Sequence, residues 1–308
     1  MMQASTLWFE SDDGVPLFVY RWRPDSRPRG IVHIAHGLGE HAGRYTRTAE
    51  ALANCGYIVY ANDQRGHGRT APNRDELGFF AYKDGWNRAV SDLRLLVEME
   101  TQENPRVPAV LVGHSMGSFM AQQFFSQHGR MLAGGVLSGS NGPPDSKVHC
   151  LRVLARLERL RLGQRGRSRF LHWLSLRIAN RQFRPVRTNF DWLSSDPAEV
   201  DLFNNDPLCG FVGTTQLWND LLVGVTAVAR RENVGRIPSN LPLYIFAGTR
   251  DPVSRNCRGL ERLIARYRSL GLTNVQYKFY PEGRHEMLNE VQRQEVVDDL
   301  IAWLDSVT

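Results

Sequence analysis

Apolar positions change their period repeatedly along the chain. Residues 6–10 and 15–22 are short β-type runs divided by the turn-prone Asp12-Asp13-Gly14, which predicts an N-terminal hairpin. Strand-like runs then alternate with helical periodicity. Residues 31–35 precede a helical pattern at 43–54, residues 57–61 precede one at 86–103, and residues 109–112 precede a segment with Met116, Phe119, Met120 and Phe124 at helical spacing. A further strand is predicted at 131–137. From Leu241 the rhythm resumes with a strand at 243–247, a helix at 257–270, a strand at 275–280 and a last helix at 290–304. Such alternation needs crossover connections and predicts an α/β fold, a mostly parallel sheet with helices on both faces.

Residues 141–235 break this rhythm and divide the core into 1–140 and 236–308. Within them Cys150, Val153, Leu154, Leu157 and Leu160 share one helical face, with Arg152, Arg156 and Arg159 opposite, and Phe170, Trp173, Leu174 and Ile178 mark a second amphipathic helix. The segment reads as a helical cap across the carboxyl ends of the strands, where open α/β sheets bind ligands.

A chain of 308 residues, 42% hydrophobic, can bury one large core. Cys55, Cys150, Cys209 and Cys257 are scattered without metal-ligand spacing and read as ordinary buried thiols, and no metal or cofactor is implied. The net charge of +6 is uneven: between Asp145 and Phe190 twelve basic residues face two acidic ones, a local +10 that leaves −4 elsewhere. No zinc-finger, RNP or basic-zipper pattern accompanies that charge, so nucleic acid is not the expected partner. Three of the chain's 38 basic residues are lysines, a bias toward arginine that extends beyond the cap. A basic amphipathic cap nevertheless suggests peripheral contact with anionic lipid. The N-terminus lacks a basic start followed by an apolar run, and no apolar stretch of about 18 residues occurs, so a cytoplasmic protein is expected. Oligomeric state is not legible in the sequence.

Candidate chemistry centres on Gly113-His-Ser-Met-Gly117, placed where a strand pattern gives way to a helix. This is the form of a nucleophile elbow, a sharp turn that exposes the Ser115 hydroxyl while small neighbours allow close backbone packing. A serine hydroxyl needs a histidine to take its proton and a carboxylate to fix that histidine's tautomer. In such folds they follow in the order serine, acid, histidine, on loops after late strands. Asp251 lies directly after the strand at 243–247 and His285 directly after that at 275–280, and His285 is the only one of nine histidines beyond Asp251. Oxyanion donors are expected from the N–H of Met116 and from Leu38 in the glycine-rich loop His36-Gly-Leu-Gly-Glu-His41. The polar run Asp63-Gln-Arg-Gly-His-Gly68 reads as a loop-ordering aspartate with a glycine turn.

Together, the run from His36 to Tyr45, the run from Asp63 to Gly68 and the Ser115 elbow resemble the monoacylglycerol lipase and lysophospholipase branch of the α/β-hydrolase superfamily. The resemblance spans nearly the whole chain outside the cap. It implies an α/β-hydrolase fold, an esterase acting on single-chain acyl lipids, the triad Ser115, Asp251 and His285, and Glu40 and Arg44 beside a polar head-group pocket. Apolar cap residues would line the acyl site. Some relatives carry a second histidine three residues after the catalytic one, where this chain has Leu288. A peptidase or acyltransferase using the same triad, and a catalytically silent ligand receptor on this scaffold, are the alternatives.

Overall fold

The computed structural model describes residues 2–145 and 147–308. Eight strands form one sheet: β1 (Gln3–Glu10), β2 (Pro16–Arg23), β3 (Gly30–Ala35), β4 (Tyr57–Asn62), β5 (Ala109–His114), β6 (Gly134–Ser138), β7 (Leu243–Gly248) and β8 (Val275–Tyr280). Their spatial order is β1-β2-β4-β3-β5-β6-β7-β8. The predicted hairpin is present as the antiparallel β1/β2 pair, β2 also runs antiparallel to β4, and every later pairing is parallel.

Every residue of β3 to β7 is buried, which is why these strands read as continuous apolar runs rather than as alternating ones. Successive side chains still go to opposite faces. Leu111 joins Ile31, Ile58 and Ile245 in a cluster with α2 (Gly85–Glu103), α3 (Met116–His128) and α9 (Arg258–Ser269). Val110 and Val112 join Val32, Val59 and Phe246 in a second cluster with α1 (Thr46–Asn54) and α10 (Arg293–Asp305). The two cores therefore sandwich the sheet, as the alternating pattern requires.

Between β6 and β7 the chain forms α4 (Lys147–Leu162), α5 (Arg169–Ala179), α6 (Pro197–Asn205), α7 (Thr215–Val228) and the single turn α8 (Arg231–Val234). Side-chain oxygens of Ser168, Asp196 and Thr214 cap α5, α6 and α7 by accepting from backbone N–H groups.

Three expectations are corrected. The face of α4 carrying Cys150, Val153, Leu157 and Leu160 is turned to solvent, while Ala155 and Glu158 are buried, the Glu158 carboxylate being satisfied by Arg161 and Ser168. Among the cysteines only Cys257 is buried, Cys150 being exposed and Cys55 and Cys209 half-buried. Boundaries also shift where 3₁₀ turns intervene: β6 begins at Gly134 after a turn at Gly129–Met131, and α10 begins at Arg293 after one at Met287–Asn289.

The Asp63 motif is structural, as read. Its carboxylate accepts from the N–H groups of Ala42 and Arg69, and Gly68 lies so close that an added Cβ would fall 2.2 Å from it. Arg65, buried in the same run, is held by two hydrogen bonds to Asp92 of α2 and by Asp13.

Helix α7 docks on α2 at Gly224, where an added Cβ would sit 2.0 Å from the Trp86 ring. Gly224→Ala is expected to cost about 1–3 kcal/mol by overpacking, seen as a lower urea midpoint; an unchanged midpoint would contradict this contact.

Candidate active site

Ser115 stands between the last residue of β5 and the first of α3, with φ 50° and ψ −116°. That backbone conformation is costly for a residue with a Cβ and survives only where its surroundings enforce it. Here they do. The Ser115 N–H donates to the Ser138 carbonyl of β6, and both flanking glycines touch backbone: a Cβ on Gly113 would meet Gly117 O at 2.5 Å, and one on Gly117 would meet Ala35 O at 2.1 Å. The turn is clamped against β3 and β6.

His285 and Asp251 are brought together by the loops after β8 and β7. His285 Nδ1 lies 2.9 Å from Asp251 Oδ1, and both side chains are buried. Asp251 is fixed in turn by the Val253 N–H. The imidazole sits between the His114 and Trp192 rings, each 4.8 Å away, and over Gly139, where a Cβ would crowd it at 2.9 Å. Burial pulls the His285 pKa down, but the Asp251 charge and hydrogen bond outweigh it and leave the value raised. Neighbouring His114 is driven the other way, to about 4, mainly by burial, and is neutral near pH 7.

Gly37-Leu38-Gly39 runs beside Ser115, a Gly37 Cβ falling 3.1 Å from the Ser115 Cβ. Glu40 organises this loop by accepting from the Gly37 N–H at 2.6 Å and from the Tyr45 hydroxyl at 2.9 Å. The Leu38 N–H makes no hydrogen bond among the described residues, and Met116 opens α3, where the first amides lack intrahelical acceptors. Leu38 and Met116 both line the cavity that holds Ser115 and His285.

Arg44 does not line that cavity, although Glu40 does. Its guanidinium is buried behind the wall, bonded to Glu40 at 2.7 Å and doubly to Glu286 at 2.7 and 2.6 Å, with the Phe203 ring 4.8 Å away. Burial would raise both carboxyl pKa values, yet the Arg44 charge leads the influences that leave them lowered, while the two carboxylates hold Arg44 well above its usual value. All three groups are therefore ionised at neutral pH, a cluster of net charge −1. Glu286 lines the cavity and was missed in the sequence; the available signal was a carboxylate next to the candidate histidine, in a chain whose Arg44 needed a second partner. Leu288 is buried in the core and lies outside the cavity wall.

The cavity measures about 380 Å³, and its walls are mainly apolar. Residues of the helical segment between β6 and β7 supply much of it, including Leu151, Leu176, Phe190, Trp192, Leu221 and Val225. A polar floor under an apolar chamber suits a ligand with a long hydrocarbon part and a reactive polar end.

Comparison with known proteins agrees with this geometry. A "Monoacylglycerol lipase" of Mycolicibacterium smegmatis is 28% identical over 306 residues, covering 97% of this chain and 96% of the relative. The mouse "Monoglyceride lipase" is 28% identical over 295 residues, covering 95% and 88%. Among solved structures, a thermostable carboxyl esterase from Bacillus coagulans in complex with glycerol superposes with a TM-score of 0.90 at 29% identity, covering 100% of this chain and 99% of that one. The Hydrolase_4 model, serine aminopeptidase S33, matches residues 26–292, and the chain belongs to that α/β-hydrolase family.

Proposed function

We propose that this protein is a serine esterase that hydrolyses monoacylglycerols through an acyl-enzyme. Ser115 attacks the ester carbonyl, His285 takes its proton and passes it to the leaving alcohol, and Asp251 holds the imidazole in the tautomer that leaves Nε2 free. The N–H groups of Leu38 and Met116 stabilise the oxyanion, each worth about 10²–10³ in rate. Water then enters, His285 acts as base again, and the fatty acid leaves. The observation that carries this reading is the clamped turn at Ser115, which shares one cavity with His285, itself paired with buried Asp251, and with an unoccupied Leu38 amide.

Residues 141–235 serve as the cap, their inward side chains packing the acyl chain. Glu40 and Glu286 face the alcohol end. A pocket floor of net charge −1 repels a phosphate and suits a neutral polyol, which favours monoacylglycerol over anionic lysophospholipids. The names of the two lipase relatives and the glycerol in the esterase structure support the same choice.

The cap's outer surface suits a lipid interface. Val153, Leu157, Leu160, Phe170, Trp173 and Ile178 are exposed, and exposed Arg156, Arg169, Arg181 and Arg184 accompany them on the same segment. Other arginines of the basic cluster have internal tasks: Arg167 donates to backbone carbonyls including Leu77 and Val212, and Arg165 pairs with Glu76. Among the described residues no helix is long and apolar enough to cross a membrane, so the contact proposed is peripheral.

Three outcomes are expected. In a panel of monoacylglycerols, anionic lysophospholipids, p-nitrophenyl esters and aminoacyl amides, monoacylglycerol turnover should lead and vanish in Ser115→Ala. The anionic lipids should trail by about 10²-fold in kcat/KM, with Glu286→Gln narrowing the gap. Preferential amide cleavage would instead support a peptidase. Because catalysis needs neutral His285, kcat/KM should fall with acid through a pKa above 6.5, and Asp251→Asn should lose about 10⁴ in kcat. An acid limb centred below 6.5 would contradict the Asp251–His285 coupling. Binding to anionic vesicles should weaken as salt rises and fall further in Trp173→Ala with Leu160→Ala; absent or salt-insensitive binding would remove the interfacial role.

A further inference from the structure

His41, Asp206 and Cys209 are far apart in sequence and take no part in the chemistry above, yet they offer three ligand-type atoms within 4.8 Å of one another. They meet where the loop after β3 touches the chain leaving α6. His41 Nε2 is 2.8 Å from Asp206 Oδ2. The other ring nitrogen is closed off: Nδ1 is buried without a partner and faces Gly43, where an added Cβ would lie 3.0 Å away. Backbone bonds hold the frame, the Cys209 N–H donating to the Asp206 carbonyl at 3.0 Å and the Gly210 N–H to the Gly39 carbonyl at 2.8 Å. Asp206 Oδ1 accepts from the Leu208 N–H, which leaves Oδ2 directed at the histidine.

We propose that His41 Nε2, Asp206 Oδ2 and Cys209 Sγ bind one thiophilic divalent cation of the zinc class, which staples the cap to the oxyanion loop. A nitrogen, a sulfur and a carboxylate oxygen form a donor set that zinc accepts, at about 2.0–2.3 Å per ligand, with a fourth position left to water. Tetrahedral ligand atoms then stand about 3.5 Å apart, so side-chain rotations within the existing frame suffice. On binding, the thiol proton goes to solvent and the thiolate replaces a water on the ion. Asp206 brings a carboxylate to the site, 2.8 Å from His41 Nε2. A hard ion such as calcium or magnesium, which requires six or more oxygens, does not fit three ligands of this kind.

Because the Gly39–Gly210 bond already joins oxyanion loop and cap, the ion adds a second tie at the same seam. Its test is independent of the esterase reading, because the primary readout is binding by the intact protein. Isothermal titration with zinc chloride should give one site per chain, and cobalt(II) should develop the thiolate-to-metal absorption band. Cys209→Ser should lose that band and weaken zinc binding at least tenfold, and Asp206→Asn and His41→Gln should weaken it likewise. Cys150→Ser should bind as the wild type does, which separates this site from the exposed neighbours His149 and Cys150. Zinc should also raise the melting temperature of the wild type but not of Cys209→Ser. Absence of one-site binding in the wild type, an undiminished band in Cys209→Ser, or loss of binding in Cys150→Ser would overturn the proposal.

Discussion

The packing of Gly113 and Gly117 against neighbouring backbone is the constraint on which the site depends. A serine at φ 50° would relax if the chain around it could move, and it cannot, because Gly117 lies against the carbonyls of Ala35 and His36 and the Ser115 amide is bonded to β6. The sheet's parallel register thus becomes a chemical device. Adjacent strands end at the same edge, and the loops after β3, β5 and β8 deliver Leu38, Ser115 and His285 to one cavity, while the loop after β7 places Asp251 behind His285.

Electrostatics divide that cavity into regions with separate tasks. Around His285, the Asp251 carboxylate raises the imidazole's proton affinity despite burial. A few residues away, Arg44 lies between two carboxylates and keeps both ionised, so the same residue types leave an anionic floor. Glu40 links the two regions because it accepts from the Gly37 amide as well as from Arg44, shaping the loop that carries Leu38.

Most of the core was legible because buried parallel strands and amphipathic helices leave strong periodic signals. Residues 109–117 announced strand, turn and helix together, and the order serine, acid, histidine singled out Asp251 and His285. The helical segment between β6 and β7 was harder. Apolar periodicity in α4 marks an apolar face but cannot say what covers it, and Val153, Leu157 and Leu160 of that face are exposed. Exposure of Cys150 follows from the same ambiguity. Arg44 could be located near the site but not oriented, since its second partner, Glu286, lies on a distant loop. The grouping of His41 with Asp206 and Cys209 was likewise invisible without the fold.

The most direct measurement of the central claim is active-site titration with a fluorophosphonate, followed by mass spectrometry of the peptide that carries the adduct. The account predicts one phosphonyl group per chain, located on Ser115, with a rate of modification that collapses when His285 is replaced by alanine. Stoichiometric labelling at another residue, or a native protein that remains unmodified, would contradict it.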